Sequence, residues 1–243
     1  MRLFTFTIDL NEIIFDDPVS IFHVLTESER ELFRNRMVIQ KYLKGEYICH
    51  IGDTPAGVIY LISGKATIFR EGAGGRKHIF RMVSPNALIG YPALFADQIY
   101  AASAKAIEDS VALVIDRETL YSLLRTNSEL SIHFIKSLST ELGFSYFRAM
   151  TLTQKQMPAR LAESLLFLRD NYGYENDGVT LKVCLSREDL ASLSNMSTSN
   201  AIRTLSSFIA KKLIDVEGKN IKLLDIAGLE GISGERIGYL NYL

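Results

Sequence analysis

Between residues 42 and 115 the chain is a succession of short apolar or alternating runs: "EYICHIG", "GVIYLISG", "KATIFREG", "RKHIFRMV", "LIGY", "AASAKAIE" and "SVALVID". Turn signals recur about every ten residues, which predicts an antiparallel sandwich or barrel. Gly45, Gly52, Gly64 and Gly90 stand where strands would start or stop. After Ile115 the period becomes helical. "DRETLYSLLRTN" predicts a short helix, and a long one follows from a cap at Asn127 or Ser128, with Glu129 in its first turn. Along the long helix Ile135, Leu138, Leu142, Ser145, Ala149 and Leu152 alternate at spacings of three and four, the seam of a two-stranded coiled coil. Phe134, Phe144 and Phe147 lie off that seam and are free to pack on the chain's own sheets.

Pro158 suits the first turn of a further helix ending near Gly173, and "YENDGVTLKVCL" reads as a loop and strand. "LSREDLASLSNMSTSNAIRTLSSFIAKKLI" then carries the most specific pattern in the chain. Ser186 caps one helix, Asn195 supplies a residue tolerant of left-handed geometry, and Ser197 caps a second helix. Ala201, Leu205 and Phe208 share one face of that helix; Ser199, Ile202, Arg203 and Ser206 share the other. Two helices joined by a tight turn, the second bearing an arginine on its polar face, are a helix-turn-helix. An ordinary helical hairpin leaves Ile202 on the solvent side unexplained, whereas contact with thymine methyl groups accounts for it. "LIDVEGKNIKLLD" adds a hairpin with Gly218 at its tip and Lys219 and Lys222 beside it, a wing suited to phosphates.

Composition narrows the chemistry. At 243 residues and 47% hydrophobic content the chain can bury one or two cores. Its longest uncharged run, residues 82–96, is broken by Pro85 and Pro92, and no leader pattern precedes Asp9, so a cytoplasmic location without a membrane partner is expected. Cys49 and Cys184 are read as core or half-buried thiols. With His23, His50, His78 and His133 scattered, no metal site is expected. The net charge of -1 does not itself point to nucleic acid, although residues 182–222 hold seven basic against four acidic side chains. "REGAGGRK" leads into a strand and lacks Lys-Ser/Thr, so it reads as a hairpin tip and not a phosphate loop.

Taken together, "YLKGEYICHIGDTPAGVIYLISGKATIF", "LIGYPALF", the long helix and the helix-turn-helix resemble the CRP/FNR family of bacterial transcription regulators. The resemblance implies an α+β chain in three parts. An effector-sensing antiparallel β-barrel of the double-stranded β-helix or jelly-roll kind occupies residues 1–126, a dimerisation helix 127–154, and a winged helix-turn-helix 155–243. It also implies a homodimer held by Ile135, Leu138 and Leu142, a two-fold symmetric double-stranded DNA operator, and RNA polymerase as a partner. Arg203 matches the family's base-reading arginine, while Ser199 stands where relatives carry an acid. Ser186, Arg187, Ser197, Thr198, Ile202, Lys219 and Lys222 complete the expected DNA-contacting set.

Family members that bind cyclic nucleotides hold the ribose with a glutamate and the phosphate with an arginine. Here Tyr91 stands in the glutamate's place and Tyr100 in the arginine's. A phenol cannot supply a guanidinium's charge-assisted contact. An effector pocket at Gly90, Tyr91, Leu94 and Tyr100, with Ser145 from the long helix, is therefore expected to take an unidentified ligand and not cyclic AMP. Tyr91 would add bulk where the ribose would lie. Two cysteines exclude the family's four-cysteine iron–sulfur sensor, and haem stays open. No catalytic residue is expected. A cupin-like barrel enzyme, with only His50 and His78 as barrel histidines, and a barrel module regulating a protein partner are the competing readings.

Overall fold

A computed structural model describes residues 12–72 and 77–234. The glycine-rich tip at residues 73–76 and the segments 1–11 and 235–243 lie outside the described residues. After a π-helical turn, Glu12–Asp16, come α1 (Glu27–Arg36) and eight strands: β1 (Met37–Tyr42), β2 (Tyr47–Cys49), β3 (Gly57–Ser63), β4 (Ala66–Glu71), β5 (Lys77–Val83), β6 (Leu88–Ile89), β7 (Ser103–Ala106) and β8 (Ser110–Asp116). A short helix α2 (Tyr91–Phe95) interrupts them after β6, and α3 (Arg117–Thr126) and α4 (Ser128–Gln154) follow. The strands form two four-stranded sheets, ordered β1-β8-β3-β6 and β2-β7-β4-β5, a jelly-roll-like pair and not a closed barrel.

The unbroken apolar run of β3 follows from its central place in the first sheet. Val58, Tyr60 and Ile62 face a core shared with Phe22, Phe33, Leu120 and Phe134 from the helical side. Ile59 and Leu61 face the opposite core, against Ala66, Ala104 and Ala106 from the second sheet. Side chains alternate across a strand, so a strand buried on both faces needs apolar residues at every position. Gly57 is required by close approach: a Cβ there would sit 2.0 Å from the carbonyl oxygen of Ile115 on the paired strand β8.

Side chains cap the starts of α3 and α4, and for α4 the cap is Asn127, one of the two expected. Asp116 Oδ1 accepts the Thr119 N–H at 2.9 Å, and Asn127 Oδ1 accepts that of Leu130 at 2.9 Å. On α4, Phe134 is buried in the helical core, whereas Ile132, Ile135, Leu142 and Tyr146 are all about half exposed or more, at 49, 56, 52 and 69%. Leu138 is half-buried. Phe134 thus faces inward and Ile135 and Leu142 outward as expected, but Leu138, placed on the outward seam by its spacing, packs against the helical core.

Two compact units divide the chain, one built from residues up to Ile68 with Met82–Leu138, the other from Phe69–Arg81 and the chain from Ser139 onward. The second contains α5 (Met157–Tyr172), α6 (Arg187–Leu193), α7 (Thr198–Ala210), the hairpin β9 (Ile214–Glu217) and β10 (Asn220–Leu223), and α8 (Ile226–Ser233). Where a strand is predicted after Gly173, only the isolated bridges Tyr174 to Leu181 and Thr180 to Lys222 form. Asp177 explains the difference. Its carboxylate captures the N–H groups of Val179 and Thr180 and the Thr180 hydroxyl, bonds that hold its pKa down at about 2 and compete with a ladder.

Candidate nucleic-acid interface

The turn between α6 and α7 is built by short polar side chains. Ser186 Oγ accepts the Asp189 N–H at 3.0 Å and caps α6; Ser197 Oγ accepts that of Asn200 at 3.2 Å and caps α7. Between them Asn195 takes φ 48°. Leu190, Ala191 and Leu193 from α6 are buried, as are Ala201, Leu205 and Phe208 from α7. Burial of that face leaves Thr198, Ser199, Ile202, Arg203 and Ser206 exposed, with Ile202 47% accessible despite its β-branched apolar side chain. Asn200 Oδ1 accepts a bond from Arg203 Nη2, which fixes the guanidinium along the helix surface.

The wing is an antiparallel hairpin with Gly218 at φ 61° and Lys219 exposed at its tip. Lys222 Nζ pairs with Glu217 Oε1 at 3.0 Å, and this partner raises the lysine's pKa. Arg187 Nη2 donates to the Gly218 carbonyl at 2.8 Å, so the first residue of α6 braces the wing. Ser192, on the buried side of α6, donates to the Lys77 carbonyl at 2.6 Å and accepts the Ile79 N–H at 2.9 Å. Lys77 Nζ reaches Asp189 at 3.1 Å.

The bend after β6 has a different character. Gly90 caps α2 at φ 83°, and a Cβ on it would lie 2.6 Å from Tyr100 Cε1. Tyr100 is 8% exposed; burial, with Cys49, Asp53 and Tyr42 nearby, pushes its phenol up to about 12. Burial likewise pushes the Cys49 thiol up to about 11. The Tyr100 phenol and the Cys49 thiol are thus neutral at physiological pH. Tyr91 does not add bulk there: its ring joins the helical core, edge-on to Phe95 and Phe134 at 6.4 and 6.2 Å, and Leu94 joins the same core. An aromatic ring gains more by filling that core than by lining a polar pocket. Ser145 is exposed, bonds the Glu141 carbonyl, and belongs to the second unit.

Residues 39–127 match the cyclic nucleotide-binding domain, and residues 159–232 match the Crp-like helix-turn-helix domain. The chain belongs to the CRP/FNR family. Its members are DNA-binding transcription regulators and not enzymes, which removes the cupin-like alternative. A CRP-like cAMP-activated global transcriptional regulator of Mycobacterium tuberculosis is 26% identical over 75% of this chain and 82% of its own length. The anaerobic regulatory protein of Bacillus subtilis is 28% identical over 77% of this chain and 79% of its own. The structure of FixK2 from Bradyrhizobium japonicum shares the fold at a TM-score of 0.73 and 18% identity, covering 82% of this chain and 98% of that one.

In this CRP/FNR protein the exposed face of α7 and the caps of α6 and α7 lie where the sequence pattern puts them. Reasoning from sequence missed Asn200, which steers Arg203, and Ser192, whose place on the inward side of α6 was its one signal. It also missed Tyr42 and Cys49 beside Tyr100, which no local motif marks. Cys184 is exposed, and not buried or half-buried as read from the sequence, because its neighbours Val183 and Leu185 take the inward positions. Among the described residues no group of three or more His, Cys, Asp or Glu could hold a metal ion, and no helix is long and apolar enough to cross a membrane.

Proposed function

We propose that this regulator acts as a homodimer paired through α4, reads a two-fold symmetric operator with α7, and responds to a ligand other than cyclic AMP. The observation that carries the DNA reading is the exposed face of α7. Arg203 offers a fork suited to guanine, Ile202 an apolar contact for thymine, and Thr198 and Ser199 hydroxyls at the helix start, with Ser186, Ser197 and Lys219 toward phosphates. Arg187 and Lys222, already engaged within the wing, serve chiefly to hold its shape. Residues 1–126, 127–154 and 155–243 would act as sensor, dimerisation helix and DNA reader, with RNA polymerase as the further partner at a promoter.

Dimerisation is supported by Ile135, Leu142 and Tyr146, large apolar side chains left exposed along one helix. Leu142→Glu should convert dimers to monomers in light scattering; an unchanged dimer mass would place the interface elsewhere. The ligand reading rests on the tyrosine that stands where a cation is needed. Of the basic side chains near it in sequence, Arg70 is exposed, Lys77 and Arg81 are paired with Asp189 and Glu141, and Lys105 Nζ lies over the Tyr47 ring at 4.9 Å. A cyclic phosphate would lack the cation that its burial demands. Calorimetry with cyclic AMP and cyclic GMP up to millimolar concentration tests this: no heat is expected, and micromolar binding of either overturns it. Gel shifts against genomic fragments test the DNA reading, and their failure would favour a protein target.

A further inference from the structure

Inside the second unit, a small cavity of about 20 Å³ lies among the C-terminal end of α4, the first half of α5 and the end of α6. Thr151, Arg160, Glu163 and Ser194 line it, with Arg148 and Phe167. Thr151 and Ser194 are 7 and 2% exposed, yet Thr151 Oγ1, Ser194 Oγ and Arg160 Nε make no hydrogen bond among the described residues. Buried polar atoms are rarely left without partners, and three on residues that line one space point to something that fills it. The room suffices for a single water-sized particle.

Charge decides what kind. The guanidinium of Arg160 has no carboxylate within 4.0 Å among the described residues, while Arg148, which borders the same space, donates from Nη2 to the carbonyls of Ile79 and Leu193. The acid on the cavity wall, Glu163, is only 4% exposed and is neutralised by Lys155 Nζ at 2.9 Å. Arginine cannot shed its proton, Nε–H only donates, and both hydroxyls can rotate to donate. Arg160 therefore brings a fixed positive charge to a lining whose hydroxyls can turn inward as donors. A water would satisfy the hydrogen bonds but leave the charge; a monatomic anion satisfies both. We propose that this cavity binds one halide-sized anion, chloride in the cell, tying α4 and α5 to Ser194, the residue that ends α6 and precedes the turn at Asn195.

The test uses the full chain at constant ionic strength, with chloride replacing glutamate stepwise during thermal unfolding. Saturable stabilisation is expected, the folded-to-unfolded ratio rising about elevenfold at chloride ten times its dissociation constant. Thr151→Val and Ser194→Ala should flatten that dependence. Crystals of the unmodified protein soaked in bromide should show an anomalous peak within hydrogen-bond distance of Thr151 Oγ1, Ser194 Oγ and Arg160 Nε, a readout that does not depend on the variants folding. An ordered water without bromide signal, or a chloride dependence unchanged in both variants, overturns the proposal.

Discussion

The outer face of α7 and the bend from Gly90 to Tyr100 are both places where this regulator would meet a partner, and they are built on opposite principles. On α7 an inward apolar face holds the helix while the outward residues are free to vary; Arg203 can change without disturbing Ala201, Leu205 or Phe208. At the bend the same atoms support the fold and shape the site, since Tyr100 is buried and fills the space against Gly90. A recognition surface that is separate from its scaffold can be retargeted by single substitutions. One that is fused to its scaffold cannot.

The largest effect should come from Gly90→Ala, which meets both a left-handed backbone and the Tyr100 ring. Strain at φ 83° and overpacking together should cost about 2 to 5 kcal/mol in urea unfolding. Adding Tyr100→Ala should return the overpacking part, and purely additive losses would show that the two are not coupled. Next, Cys49 should react slowly with iodoacetamide. Its thiol is pushed up to about 11 from the ordinary 9.0, so at pH 8 its thiolate is about a hundredfold scarcer than that of a free thiol. Because the folded pKa lies above the unfolded one, the associated stability is full below pH 9.0 and is lost as pH rises through about 11. Equal labelling of Cys49 and the exposed Cys184 would mean that the bend is open.

On α7 the effects should be smaller and local. Arg203→Ala should lose about 1 to 3 kcal/mol of discrimination at one base position per half-site, read by operator selection, with little change in thermal stability. An unchanged operator would move the recognition face elsewhere. Smallest of all, Lys219→Ala should weaken every sequence alike and lower the slope of log affinity against log salt by about 0.9 for each phosphate it leaves unneutralised. A sequence-dependent loss would show that the wing reads bases.

Legibility in the sequence follows the same divide. Ser186, Asn195 and Ser197 announce the helix-turn-helix because capping and left-handed geometry are local, set within three or four residues. The run "GVIYLI" announces a strand but not which core each side chain enters, because that depends on the remote pairing of β3 with β8. Tyr91 shows the limit more sharply. Its place in the bend is fixed by neighbours in sequence, while its direction is fixed by Phe95 and by Phe134, which lies far along the chain. The strand expected after Gly173 fails for a local reason that composition alone does not rank, the three bonds to Asp177.

The stacking of Tyr100 on Gly90 also sets how a ligand would be felt. With the ring in place the space beside Gly90 is filled, so a molecule that binds at that spot must select the fraction of chains in which Tyr100 has swung away. Apparent affinity then falls by that fraction. If one chain in a hundred is open, a ligand with an intrinsic dissociation constant of about 1 μM would present itself at about 100 μM. The tyrosine would act as a threshold, keeping trace molecules silent, and a smaller residue in its place would lower that threshold without adding any new interaction.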